Sequence, residues 1–202
     1  MRIHPERRIG SRLFTASCND SAEVQARWLL EQLQRLHDQG VTLLHNTRLR
    51  VGWSIITLRV FGGRVHLCEP QFDGDPVSGQ IDDISLTLQV TSEQLALTRA
   101  LSVRPEPTLY LESIRVAPGA LTEHAVRLER TSLRSVGESG WSLFAEGNSQ
   151  PETWTRLPSF RLLETRPALL RALMLPADYR VSFLGDDLVS VVDAVDTERW
   201  AA

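Results

Sequence analysis

Residues 51–69 form two runs of alternating apolar and polar side chains that meet at Gly62-Gly63, and this stretch constrains the fold more than any other. Ile56, Leu58 and Val60 alternate with Thr57 and Arg59, so one face of the first run is buried. The paired glycines supply the positive φ of a tight turn, and Arg64 to Glu69 returns as the partner strand. A helix precedes this hairpin. Asn19-Asp20-Ser21 offers capping side chains and Glu23 adds first-turn acidity, after which Ala26, Leu29, Leu30, Leu33 and Leu36 recur at helical spacing. The pattern predicts an amphipathic helix over 21–39, ended by Gly40 at the C′ position.

The rest of the chain reads as shorter pieces. Val41 to Leu44 and Val51 to Phe61 are expected strands, and Pro70 to Gly79 a loop. Residues 83–102 fit a strand period in part, with Ile84, Leu86, Leu88 and Val90 alternating, but suit a helix better, capped by Asp82-Asp83. Arg104-Pro105-Glu106-Pro107 is the best linker candidate, because each proline breaks regular structure and restricts the residue before it. It divides the chain into lobes 1–104 and 105–202. In the second lobe, strands are expected at Leu109 to Val116, Ala125 to Leu133 and Trp141 to Phe144. Pro151 to Phe160 is expected as a loop. Pro167 would open a short helix over 166–175 at its N1 position, stopped by Pro176. Tyr179 to Leu184 and Leu188 to Ala194 close the chain as a hairpin around Gly185-Asp186-Asp187. The expected class is α+β, with two small lobes, each a mainly antiparallel sheet packed with one or two helices. Gly52-Trp53-Ser54 recurs as Gly140-Trp141-Ser142, and Ala96 to Leu101 echoes Ala168 to Leu173; a duplication and chance in an Ala-, Leu- and Arg-rich chain both account for this.

Composition excludes several kinds of chemistry. With 42% hydrophobic and 23% charged residues, disorder is confined to the first ten residues or so. All 22 basic residues are arginine, so a Walker-type phosphate loop, a Schiff-base enzyme and a Ser–Lys dyad are excluded. A net charge of −3 with scattered cations gives no basic field for nucleic acid. No apolar run is long enough to span a membrane, and the basic N-terminus lacks the apolar stretch of an export signal, which makes the cytoplasm the expected location. Cys18 and Cys68 are expected as free buried thiols. The five histidines have no metal-ligand spacing, and no metal or cofactor is expected. His66, Cys68 and Glu69 could assemble a thiolate site, and Asp73-Gly74-Asp75, Asp82-Asp83 and Asp186-Asp187 could hold an ion; a half-buried strand, a helix cap and hairpin turns explain them more simply. Glu138, Glu146 and Glu152, extended by Asp186, Asp187, Asp193, Asp196 and Glu198, give the second lobe an acidic bias. That bias is either a solvated surface or a face that steers a basic partner. Trp53 and Trp141 open strands and belong in the core, whereas Trp154, between Glu152 and Arg156, is the better surface anchor.

The second half reads Ser139-Gly140-Trp141-Ser142-Leu143-Phe144, then Glu146-Gly147, Pro167-Ala168-Leu169-Leu170, Leu175-Pro176 and Val181-Ser182-Phe183. This order resembles the immunity-33 domain of bacterial polymorphic-toxin immunity proteins. That domain carries a Ser-Gly-Trp strand, a Phe and an acidic turn, a Pro-x-Leu-Leu helix, a proline, and a last strand with an aromatic. Ala145-Glu146-Gly147 departs from the usual Ser-Gly-Asp. The first half resembles the segment that precedes this domain in longer members, with Gly52-Trp53 and then Glu69-Pro70-Gln71-Phe72, where Gln71 replaces an Asp. The resemblance implies no reaction. It implies binding to a cognate toxin encoded nearby, a secretion-system effector, and occlusion of its active site over about 800 Å² or more per partner. Candidate toxin contacts are Glu138, Glu146, Glu152, Trp154, Asp186 and Asp187; Gly52, Trp53, Glu69, Pro70, Ser139, Gly140, Trp141, Pro167 and Pro176 are expected to be structural. The chain is expected to be a monomer or weak dimer, and a ligand- or peptide-binding regulatory scaffold is the alternative reading.

Overall fold

The structure, a computed structural model, describes residues 1–147 and 151–201, which form two compact units, Met1–Ser92 and Glu93–Ala202. The fold is α+β. The first unit opens with four strands: β1 (Arg2–Ile3), β2 (Glu6–Ile9), β3 (Arg12–Thr15) and β4 (Cys18–Asn19). The first ten residues are therefore built into sheet. β1 pairs with β4, and Ala16 N–H donates to Pro5 O, so the chain start is tied down by its backbone.

Helix α1 (Glu23–Asp38) follows a 3₁₀ turn at Asp20–Ala22 and buries Ala26, Leu29, Leu30 and Leu33. Its end is a Schellman motif: Val41 N–H donates to Leu36 O, Gly40 N–H donates to His37 O, and Gly40 sits at φ +88°. Asn19, Asp20 and Ser21 do not cap it. Asn19 is the last residue of β4, and the Asp20 carboxylate turns back to the Ser21 N–H. Residues 41–44 are not a strand; the Schellman turn redirects the chain and only Leu43 of the four is buried. The expected strand from Val51 to Phe61 is two strands, β5 (Arg48–Val51) and β6 (Ser54–Phe61), because Gly52 takes φ +57° and makes a two-residue turn with Trp53. The Gly62-Gly63 turn then leads to β7 (Arg64–Pro70), and β8 (Gln80–Ile81) pairs with its far end. The sheet order is β2-β3-β7-β6-β5, antiparallel except for β3 with β7. Phe14, Leu30, Leu33, Ile56, Leu58 and Leu67 fill the core with α1.

Helix α2 (Ser85–Ala100) resolves the ambiguous stretch, and Asp83 caps it by accepting the Ser85 N–H at 2.8 Å. The division between the units falls within this helix, and residues 104–107 are irregular. The second unit holds β9 (Ser113–Val116), β10 (Ala125–Arg130), β11 (Glu138–Ala145) and β12 (Thr155–Pro158). It continues with α3 (Leu162–Thr165), β13 (Arg180–Leu184), β14 (Asp187–Val192) and β15 (Glu198–Ala201). The seven strands run in the order β12-β9-β11-β10-β13-β14-β15, with only β9 and β11 parallel. β12 lies in the expected loop, and β15 was not expected. Both are edge strands, short and exposed, with none of the alternation that marks a half-buried strand. Pro167 opens a helix as expected, but over Pro167–Ala172 it is 3₁₀. The two arms of the internal echo differ: Gly52 turns a hairpin, whereas Gly140 lies inside β11 at a register shift.

Gly140 and Gly137 share nearly the same φ, +84° and +83°, in different surroundings. A Cβ at Gly137 would meet nothing, whereas one at Gly140 would run into the Thr131 carbonyl. Chemical denaturation should therefore find Gly137→Ala about 1 kcal/mol destabilising and Gly140→Ala about 3 kcal/mol or more. Equal losses at the two positions would mean that backbone strain alone is at work.

Candidate protein-interaction face

The motif residues of the first unit meet at the start of α2. Glu69 is 2% exposed, and its carboxylate accepts the Thr87 N–H at 2.7 Å, so it caps the helix from the neighbouring strand. Burial raises its pKa from 4.5 to about 7, against the lowering effect of the bonds from Thr87. Gly52 packs so closely on Thr91 that a Cβ would not fit. Trp53 stacks on Phe72 with centroids 4.8 Å apart, and Pro70 ends β7 in the interior. The His66–Cys68 pair does not make a thiolate. The Cys68 thiol is directed to the His66 carbonyl at 3.9 Å, the His66 ring bonds Asp82 at 3.0 Å, and burial pushes the thiol up to about 12. Cys18 is likewise raised to about 11 by burial. Asp75 bonds Ser78 and the Val77 N–H within its own turn, and Asp82 and Asp83 are held by Ser17, His66 and the start of α2. Among the described residues, no group of three or more His, Cys, Asp or Glu is placed to hold a metal ion.

In the second unit the motif converges on Arg130. This guanidinium is 3% exposed and donates to Ser139 O at 3.3 Å, to Glu106 O at 2.7 Å, and to Leu175 O just before Pro176. It lies over the Trp141 ring, 5.6 Å from the centroid, and its Nη2 is 3.2 Å from the Glu106 carboxylate. Burial lowers its pKa, opposed by Glu106. Ser139 Oγ donates to Ser113 O at 2.8 Å and accepts the Trp141 N–H at 3.1 Å. Ser139, Gly140 and Trp141 are all buried, on or within this assembly.

The opposite face of the seven-stranded sheet is polar and partly open within the unit: Arg156, Arg180 and Glu198 are exposed, whereas Ser142 and Phe144 are buried under neighbouring side chains. Strand register places Arg156, Arg115, Ser142, Glu129, Arg180, Val192 and Glu198 in one row that crosses all seven strands. The next row reads Phe144, Arg127, Ser182, Ser190 and Ala201. Arg127 forms an ion pair with Glu129 at 2.7 Å and reaches Glu146 at 3.4 Å, Arg156 pairs with Glu138 at 2.5 Å, and Arg180 pairs with Asp196. Trp154 stands edge-on to Phe144, 5.1 Å between centroids, and Arg115 lies over Trp154 at 5.0 Å. A polar hollow of 380 Å³ opens on this face, with Phe144, Tyr179, Glu129, Asp178 and Asp193 among its walls.

Of the candidate contacts, Glu138, Glu146 and Trp154 lie on this face, Glu152 is exposed in the loop before Trp154, and Asp186 and Asp187 sit at the β13–β14 turn. The carboxylates of the face are interleaved with arginines and form no continuous acidic field. Sequence reading missed Arg115, Arg127, Glu129 and Arg180, whose alignment depends on register between distant strands. It also missed Trp28, 56% exposed on α1, although its position off the stripe of Ala26, Leu29, Leu30 and Leu33 was a usable signal.

Comparison with known proteins gives one finding. The family model for the Imm33-like domain matches residues 93–194. No curated protein and no solved structure matches the chain.

Two outcomes test the buried charges. Arg130→Lys keeps a cation but loses the planar fork, and should lower unfolding free energy by about 3 kcal/mol, read by urea titration. An effect below about 1 kcal/mol would show that the three carbonyls do not depend on the fork. For Glu69, the folded pKa of about 7 lies above its ordinary 4.5, so the native state holds a proton that the unfolded chain releases. The stability it contributes is full below the lower value and lost as pH rises through the higher one. Thermal midpoints from about pH 5 to about pH 8 should fall more steeply in the wild type than in Glu69→Gln; parallel profiles would remove Glu69 as the cause.

Proposed function

The chain belongs to the Imm33-like family through residues 93–194, and on that premise we propose that it is an immunity protein that binds and neutralises a cognate bacterial toxin encoded nearby. The observation that carries the reading is the separation of roles within that domain. Ser139, Gly140 and Trp141 are buried beside Arg130, while the opposite sheet face offers arginines, carboxylates, hydroxyls and the half-buried Trp154. Such a surface suits recognition: aromatic and arginine side chains supply anchors, and a mixed-charge rim fixes register. The mechanism is steric. The protein covers the toxin's active site and performs no reaction of its own.

The toxin is a secretion-system effector in this reading, and the protein meets it in the cytoplasm as a monomer or weak dimer. No helix among the described residues is long and apolar enough to cross a membrane. A second reading, a regulatory scaffold for a small ligand or peptide, draws on the 380 Å³ hollow, which is wide enough for a small polar molecule. Co-expression separates the two. The protein should restore growth to cells that express the toxin of the adjacent gene, and a stable complex should copurify. Failure of both rescue and complex formation would reject the immunity reading; a copurifying small molecule would favour the scaffold.

A further inference from the structure

The open face of the second unit is not uniform in charge. At its β9–β12 side, Arg115 and Arg156 stand next to each other in register, with Glu138 tucked beneath Arg156. Arg156 remains 68% exposed in its side chain despite that pair. At the opposite side, exposed Asp178 and Asp196 and the nearby Asp193 and Glu198 outnumber Arg180 and Arg199. Between the two ends lie Ser142, Ser182 and Ser190 together with Arg127 and Glu129, which pair with each other on the central strand β10.

We propose that this face is the toxin-docking surface, and that the toxin's matching surface presents carboxylates to Arg115 and Arg156 and cationic side chains to the Asp178–Asp196 side. The inference rests on the immunity reading above and adds to it the surface and the chemistry of the partner. Charge complementarity sets the orientation, since the reversed arrangement would set like charges against each other at both ends. Size agrees. Seven strands about 4.8 Å apart, each showing about 15 Å of length, give a projected area of roughly 450 Å², of the same order as the ~800 Å² of accessible surface that each partner contributes to a standard interface. The sheet edges are poorer docking sites: β12 ends in Pro158 and carries Arg156, and β15 is four residues long with a register shift against β14. Arg115 and Arg127 are pre-positioned over Trp154 and Phe144, so little ordering remains for the face when a partner arrives.

The test uses the full-length protein and the catalytically inactivated product of the adjacent toxin gene, with affinity measured by calorimetry and self-association by light scattering. The double variant Arg115→Glu/Arg156→Glu should bind at least about tenfold more weakly, the scale of a rim charge reversal. Because Arg115 supports Trp154, a second variant, Ser190→Arg, places bulk and positive charge on the face without removing a packed group; it should weaken binding by a similar factor. Glu164→Arg, at an exposed position of α3, should bind as the wild type does. Wild-type binding that survives both face variants would overturn the proposed surface and leave the immunity reading intact. No binding by the wild type would overturn that reading and the surface with it. A wild-type dimer that the face variants convert to monomer would assign the face to a second copy of the chain and overturn the toxin assignment.

Discussion

The second unit is organised by one buried guanidinium. Arg130 lies at the end of β10, and its donors reach the carbonyls of Glu106, Ser139 and Leu175, which belong to segments far apart in sequence. A planar group with donors in fixed directions can bridge carbonyls from several segments at once; an ammonium on a flexible stem cannot hold the same geometry. The cost of burying the charge is offset by these bonds, by the Trp141 ring and by the Glu106 carboxylate. Gly140 lets β11 pass close enough to Thr131 for the arrangement to close. In the first unit Glu69 plays the corresponding part with opposite sign, as a buried carboxylate at the start of α2.

These two charges explain why the two Gly-Trp motifs carry no exposed chemistry. Gly52, Trp53 and Glu69 fix the β5–β6 turn and the end of β7 to α2, and Ser139, Gly140 and Trp141 fix β11 to Arg130. A residue committed to such contacts cannot also meet a partner. In the proposed reading recognition falls to the far side of the sheet, where the side chains are polar and arginines alternate with carboxylates. The arginine–carboxylate ladder builds no strong field of either sign, so partner choice would depend on local complementarity more than on long-range attraction.

Elements with a buried stripe could be read directly from the sequence. The period of Leu29, Leu30 and Leu33, the Gly40 stop and the Gly62-Gly63 turn each record one local physical requirement, and each is met. Elements without an inside were not legible. β12 and β15 expose most of their residues, so no alternation marks them, and β1 and β2 each turn a single apolar residue, Ile3 and Ile9, to the core, too few to show a period. Gly52 was mistaken for strand interior because a two-residue turn and a strand glycine look alike until the pairing of Val51 with Ser54 is known. The polar face of the second unit was illegible for a related reason: Arg156, Arg115, Glu129 and Arg180 become neighbours only through the registers of five strands. Acidic residues could be counted in sequence, but the arginines that neutralise them could not be assigned.

If the Gly-Trp motifs build the scaffold, the partner meets the polar sheet face of the second unit. Hydroxyl-radical footprinting of the protein, alone and in complex with the inactivated toxin, reads this at single tryptophans. Trp154 stands on the open face and Trp28 is exposed on α1. Complex formation should protect Trp154 from oxidation and leave Trp28 unchanged. Protection of Trp28 with Trp154 unaffected would contradict it.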